Sequence, residues 1–284
     1  MKKTFSRLLA IEIKKAIKNK FFIATLGIAT TFSLFSAWYM IDHYRFQTFL
    51  SSIDGNPMTN ASSLYNHWIG GEAMSLGFTL FFTLLPLIAV LPYGWSYFIE
   101  DKNGYVKTVV IRSNKWQYFL SKYLATFIAG GLVILIPLVV NFLLVASFVP
   151  AITPSMVYSL RYPVMIGSLW STLFYTYPLI FVLLYLILNF IFAGLFATMS
   201  LAISFFLRNR IAIILTPFFL IMTLHYSRTF LAYRYYNEIS PINYLHATCV
   251  ENAANAWIIT GQGLLFFVLT FGITMKLGVK REIL

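Results

Sequence analysis

Six apolar runs, separated by polar or basic stretches, govern what this chain can become. They are Phe21 to Ile41, Met74 to Ile99, Tyr123 to Val149, Thr172 to Leu207, Ile211 to Tyr226 and Ala256 to Met275. About 20 mostly apolar residues suffice for a helix to cross a bilayer, so the pattern predicts six transmembrane helices. The fourth run is too long for one straight span and is expected to tilt, kink or begin outside the hydrocarbon. The fifth is short and carries Pro217, and the tight basic turn Arg208-Asn209-Arg210 divides it from the fourth. Only 11% of the residues are charged, against 59% hydrophobic and a mean hydropathy of +0.76. A soluble domain carries about 25% charged residues, so a soluble globule, a disordered chain and a nucleic-acid-binding module are excluded. The expected fold class is all-α, a polytopic membrane protein.

The net charge of +12 is distributed unevenly. Of the 21 Lys and Arg, all but Arg45, Arg161, Arg228 and Arg234 lie before the first run, between the second and third, between the fourth and fifth, or after the sixth. Cytoplasmic loops carry the excess of basic residues in membrane proteins, so both termini are expected in the cytoplasm. Topology then explains the bases, with no nucleic-acid partner. Ahead of the first run, Phe5, Leu8, Leu9, Ile13, Ala16 and Ile17 share one helical face, with Arg7, Lys14, Lys15 and Lys18 mostly opposite. That spacing predicts an amphipathic helix over residues 1–20, its apolar face in the acyl boundary and its basic face on anionic headgroups. It is not the pattern of a cleavable signal peptide. The expected organisation is this elbow helix followed by a single six-helix domain over 21–284, with an inward loop at 100–117 and an outer segment at 227–255. The expected setting is a cell membrane, that of a bacterium.

Residues able to carry chemistry are few. The one cysteine, Cys249, excludes an internal disulfide. His43, His67, His225 and His246 show no HExxH or short paired spacing, so no metal-ligand set is read from them. The near absence of ionisable residues within the runs argues against a proton-coupled carrier. Glu100 and Asp101 are neighbours, and neighbouring side chains on a helix diverge by about 100°. They therefore suit partner contact or capping rather than paired acid–base work. A cargo path is drawn through Phe78, Phe82, Asn141, Asn189 and His225. The alternatives stay open at this point: the phenylalanines also suit a lipid face, the asparagines also suit pairing between helices, and His225 also suits an interfacial position. Gly77, Gly130 and Gly131 permit close helix approach. In the outer segment, Arg228, Arg234, Glu238 and Glu251 accompany aromatics in a pattern expected of short helices lidding an exit. Asn60-Ala61-Ser62 matches a glycosylation tripeptide.

The inward segment from Glu100 to Trp116 reads as a short helix after Gly104, with Tyr105, Val109 and Ile111 as its apolar stripe. A half-apolar, half-basic helix of this kind is suited to a groove on another protein. Glu100 and Gly104 open the segment, Arg112-Ser113 follows, and Lys122 leads into the third run. A small-polar turn from Ser204 to Asn209 precedes the Pro217 helix, and Ile239-Ser240-Pro241-Ile242-Asn243-Tyr244 precedes the last. In these features the whole chain resembles the membrane subunits of ABC transporters of the type-two exporter class, though it lacks the proline that family often places before its Ser-basic element. The resemblance implies a separate cytoplasmic ABC ATPase subunit, which holds ATP and Mg, and a second copy or a related permease beside this chain. It makes the inward loop a coupling helix, with Glu100, Asp101, Gly104, Tyr105, Val109 and Arg112 as its docking residues. No GxxxxGK[ST] phosphate loop occurs in the sequence, so no cofactor and no enzyme activity are expected of this chain itself. The cargo expected for so apolar a protein is hydrophobic or amphiphilic: a peptide, a lipid or a drug, with resistance to an antimicrobial peptide as one role. The alternative reading is a carrier or channel without an ATPase, or a membrane anchor.

Overall fold

The apolar runs become helices whose ends are set by capping residues and prolines. The structure, a computed structural model, describes residues 2–54, 62–164, 167–227, 230, 238–247 and 254–280. Its helices are α1 (Lys2–Ile17), α2 (Lys20–Asp54), α3 (Leu64–His67), α4 (Leu76–Val90), α5 (Ser96–Lys102), α6 (Tyr105–Arg112), α7 (Lys115–Ala146), α8 (Ser171–Thr176), α9 (Pro178–Ile203), α10 (Arg210–Ser227), α11 (Pro241–Tyr244) and α12 (Ala256–Lys280). A short 3-10 turn, Met156–Arg161, lies between α7 and α8. No strand occurs among the described residues. Among the described residues five helices, α2, α7, α9, α10 and α12, are long and apolar enough to cross a membrane.

The second run departs from expectation. It is not one helix from Met74 to Ile99: α4 ends at Val90, a turn occupies 91–95, and α5 begins at Ser96. Pro92 has no N–H to continue the ladder, and Gly94 follows two residues later. The 15 residues of α4 span about 22 Å, less than the roughly 30 Å hydrocarbon thickness. The fourth run breaks as expected of its length, at Tyr177, with Pro178 in the first turn of α9. The basic turn does divide the fourth and fifth runs, and Asn209 Oδ1 there accepts the Ile211 N–H at 2.9 Å. α2 extends 13 residues past Ile41. α7 starts eight residues before Tyr123, so its first turns belong to the segment read as a loop.

α7 and α9 form the centre, with α2 and α4 on one side and α12 on the other; α10 packs on α4 and α9. Phe81, Leu85, Ala129, Ile134, Phe181 and Phe196 lie in the shared core. The α2–α4 crossing depends on Gly77, where an added Cβ would sit 2.4 Å from the Phe32 carbonyl oxygen and 2.5 Å from Ser36 N. Those are backbone atoms of α2, which cannot rotate aside. Gly77→Ala is therefore expected to destabilise the protein by about 1–3 kcal/mol. Gly27→Ala is the control, because a Cβ there meets nothing within 4 Å and alanine favours helix by up to about 1 kcal/mol. Thermal unfolding of both variants in detergent checks this; equal midpoints would remove the close-approach account.

α1 also departs from expectation. Ala16 is buried, and Ile13 and Ile17 pack on the protein core, so its apolar face is turned to α7 rather than to the acyl boundary. Gly278 of α12 lies against the Phe119 ring, which places the last turns of α12 beside the first turns of α7. α1, α5, α6 and the end of α12 thus gather at one end of the bundle. Asn60 and Ala61, Cys249, Arg228, Arg234 and Glu251 lie outside the described residues.

Candidate functional site

The segment expected to dock on a partner is two helices joined at Gly104. This residue adopts φ +73°, ψ 2°, a left-handed conformation that glycine takes without steric cost, and the turn lets α6 leave at a new angle. One face of α6 carries Val106, Val109 and Val110, which pack with Tyr97, Tyr118, Phe119 and Phe205. The expected stripe of Tyr105, Val109 and Ile111 is therefore corrected. At 100° per residue, positions 106, 109 and 110 share a face and 111 lies well away from it. Ile111 is 85% exposed. Tyr105 is held by Lys15, whose Nζ lies 3.9 Å above its ring centroid. The Arg112 side chain lies outside what the structure describes. Asp101 lines a polar groove of about 420 Å³ with Lys102, Ser204 and Arg208.

Glu100 enters a buried cluster built from α1, α5, α7 and the turn after α4. Lys122 of α7 is fully buried, and its Nζ lies 2.8 Å from Glu100 Oε2 and 3.0 Å from Glu12 Oε2. Lys15 bridges the same two carboxylates at 3.0 Å to Glu12 and 3.4 Å to Glu100. Tyr93 Oη donates to Glu12 at 2.7 Å and accepts from Lys122 at 3.0 Å, while Tyr118 Oη donates to Glu100 at 2.7 Å. Two cations and two anions cancel, and each charge has hydrogen-bonding partners, which is the condition under which buried ions are tolerated. Burial pushes the Glu12 carboxyl up, but Lys122 and Lys15 outweigh it, and the group lies below the usual carboxylate range. Burial likewise pushes the Tyr93 phenol up, reinforced by the two carboxylates.

Glu12, Lys15, Tyr93 and Tyr118 were not read from the sequence as a site. A signal for Glu12 exists: it is the one acid in a basic helix, and it falls on the apolar face with Leu8 and Ala16, four residues to either side. Lys122 stands just ahead of the third apolar run, in the second turn of α7.

None of the residues drawn as a cargo path lines the polar groove beside Asp101 or either of the two apolar grooves between the helices. Phe78 and Phe82 are buried with their rings 4.8 and 4.9 Å from that of His246. Asn141 clasps α2 to α7: its Nδ2 donates to the Ser33 carbonyl at 2.7 Å, and its Oδ1 accepts from Ile69 N at 2.8 Å. Asn189 donates to the carbonyls of Tyr185 and Leu245. His225 Nδ1 lies 2.8 Å from Ser240 Oγ, joining the end of α10 to the start of α11. These are packing and clasping groups. Two apolar grooves lie elsewhere. One of about 410 Å³ between α7, α9 and α12 is lined by Phe127, Leu188, Phe192 and Phe267 among others. The second, of about 330 Å³, lies between α9, α10 and α12 and is lined by Ile203, Leu220 and Phe266 among others. At the opposite end from α6, burial pushes the His67 imidazole down to about 4, opposed by the Ser63 carbonyl and reinforced by His43.

Fold and site together define a helical, multi-pass membrane protein with the short helix α6 packed at one end of its bundle. The chain belongs to the family described as protein of unknown function (DUF2705), whose model matches residues 58–255. No curated protein and no solved structure matches it.

Proposed function

We propose that this chain is the membrane-spanning subunit of an ATP-driven exporter of the ABC type, with six spans and both termini in the cytoplasm of a bacterial cell. The observation that carries the reading is α6. It is a short helix set off by a left-handed glycine, fixed to the bundle along Val106, Val109 and Val110, and offering Ile111 outward. A separate ATPase, holding ATP and Mg, receives that helix in a cleft. Its closure passes through Glu100 to Lys122 and so into α7. α4 serves as the second span despite its length. The gathering of α1 and the end of α12 at one end of the bundle supports an even number of crossings, and the loop bases support the orientation. A second copy or a related permease completes the assembly. The grooves flanking α12 suit a hydrophobic or amphiphilic cargo, peptide, lipid or drug.

The test is co-purification from the native host in mild detergent, with wild type compared with Ile111→Asp. Ile111 is exposed, so the charge is carried without a folding cost of note. A subunit bearing a phosphate-binding loop is expected with wild type and is expected to fall at least about tenfold in the variant, the factor that about 1.4 kcal/mol of lost binding produces. Absence of any such subunit from both samples would overturn the reading. A second reading, a carrier needing no ATPase, draws on the buried ionisable cluster around Lys122. Seven residues from the start of α7 place that lysine only about 10 Å along a helix of about 48 Å, near one end rather than at mid-membrane, which favours the first reading.

A further inference from the structure

The fold brings together two histidines that stand 24 residues apart in sequence. His43 lies on the extension of α2 beyond the first apolar run, and His67 ends α3; their ring centroids are 6.2 Å apart. Their surroundings are unlike those of a histidine that only packs. His67 Nδ1 lies 3.0 Å from the Ser63 carbonyl oxygen and 3.2 Å from Asn66 Oδ1. A backbone carbonyl can only accept, so the proton resides on Nδ1 and Nε2 carries a bare lone pair. That Nε2 is buried and finds no hydrogen-bond partner among the described residues, in a side chain only 3% exposed. An Nδ1–H fixed on a backbone carbonyl is the arrangement that orients a metal-ligating imidazole and leaves Nε2 for the ion.

From this we infer that His43 and His67 form a two-imidazole site for a divalent transition metal such as Zn²⁺ or Cu²⁺. With metal–nitrogen bonds of about 2 Å, two ring centroids sharing one ion stand roughly 5–6 Å apart, depending on the angle at the metal. The observed 6.2 Å lies just beyond that span, so binding draws the two rings slightly together. His43 is half-buried and stacks on Tyr39 at 6.5 Å, which leaves it room to adjust. Imidazole nitrogens select zinc, copper and nickel over the hard cations. No group of three or more His, Cys, Asp or Glu that could hold a metal occurs among the described residues, and solvent on the side of the half-buried His43 takes the remaining coordination positions of the proposed site. The nearby Arg45 guanidinium lies over the Phe148 ring at 5.5 Å.

The experiment uses the full chain in detergent, carrying an affinity tag free of histidine. The protein is stripped with chelator, exposed to Zn²⁺ or to Cu²⁺, desalted and analysed for bound metal. About one equivalent per chain is expected in wild type, falling at least tenfold in His43→Ala and in His67→Ala and unchanged in His225→Ala. Since the buried His67 variant can fail to fold, His43→Ala, at the less buried position, decides: its size-exclusion profile must match wild type. Metal retained by His43→Ala at the wild-type level, or none retained by wild type, would overturn the site.

Discussion

Lys122→Met is expected to cost the protein about 3–5 kcal/mol of stability, the penalty for removing one partner from a buried ion cluster. Methionine fills much of the same volume, so the loss is electrostatic in origin. Glu12 and Glu100 keep their positions on α1 and α5 and now face each other without the cation that lay 3.0 and 2.8 Å away. Lys15 is part-exposed and 3.4 Å from Glu100, too loosely placed to neutralise both. Adding Glu100→Gln to Lys122→Met is expected to recover most of the loss. Lys15 and Glu12 then remain as one ion pair at 3.0 Å, the cluster is neutral again, and Tyr118 can still donate to the amide oxygen at position 100. Thermal unfolding in detergent across the two single variants and the double variant isolates the coupling. A single Lys122→Met loss below about 1 kcal/mol would show that water reaches the cluster and that α1, α5 and α7 are not held together there.

The helical class and most span positions were legible because they rest on long, local hydropathy patterns, which tertiary packing does not reverse. The start of a helix after Gly104 and the division at Arg208-Asn209-Arg210 were legible for the same reason, each being a local signal. Two errors at α4 and α6 have local causes as well. Pro92 and Gly94 interrupt the second run, and composition alone did not weigh them against the apolar residues around them. The stripe on α6 was misassigned because Ile111 is as apolar as Val110, and only the phase of the helix separates a packed residue from an exposed one. The charged cluster was illegible for a different reason. Glu12 and Lys122 stand 110 residues apart and Lys15 and Glu100 85, Glu100 and Lys122 meet from two different helices, and no spacing rule joins such positions. The same holds for His43 and His67, and for Asn141, whose polar group clasps two helices rather than lining a path. A polar residue in an apolar helix announces that it needs a partner but does not say whether that partner is a neighbouring backbone or a ligand.

Glu72 shows how much such a partner can matter, and its removal is expected to have the second-largest effect. The residue is only 1% exposed and stands just before α4. Its Oε2 accepts the backbone N–H groups of Met74 at 2.6 Å and Ser75 at 2.9 Å, while its Oε1 accepts the hydroxyls of Ser36, at 2.8 Å, and Ser75. It thus ties α2 to the start of α4 beside the Gly77 crossing, and its charge lies at a helix N-terminus, where anions are favoured. Glu72→Ala leaves the buried Ser75 N–H without its acceptor, at about 1–3 kcal/mol, and removes the bonds from the part-buried Met74 N–H and the Ser36 and Ser75 hydroxyls, about 1 kcal/mol more, so a total loss of about 2–4 kcal/mol is expected. Glu72→Gln is expected to lose far less, about 1 kcal/mol or under. Its amide oxygen can replace Oε2 for the two N–H groups, and the serine hydroxyls can rotate to accept from its amide nitrogen, which backbone groups cannot do. The ordering is therefore the test: wild type above glutamine, and glutamine well above alanine, by thermal unfolding in detergent. Equal losses in both variants would mean that the carboxylate charge at the α4 terminus, and not the acceptor geometry, holds this crossing.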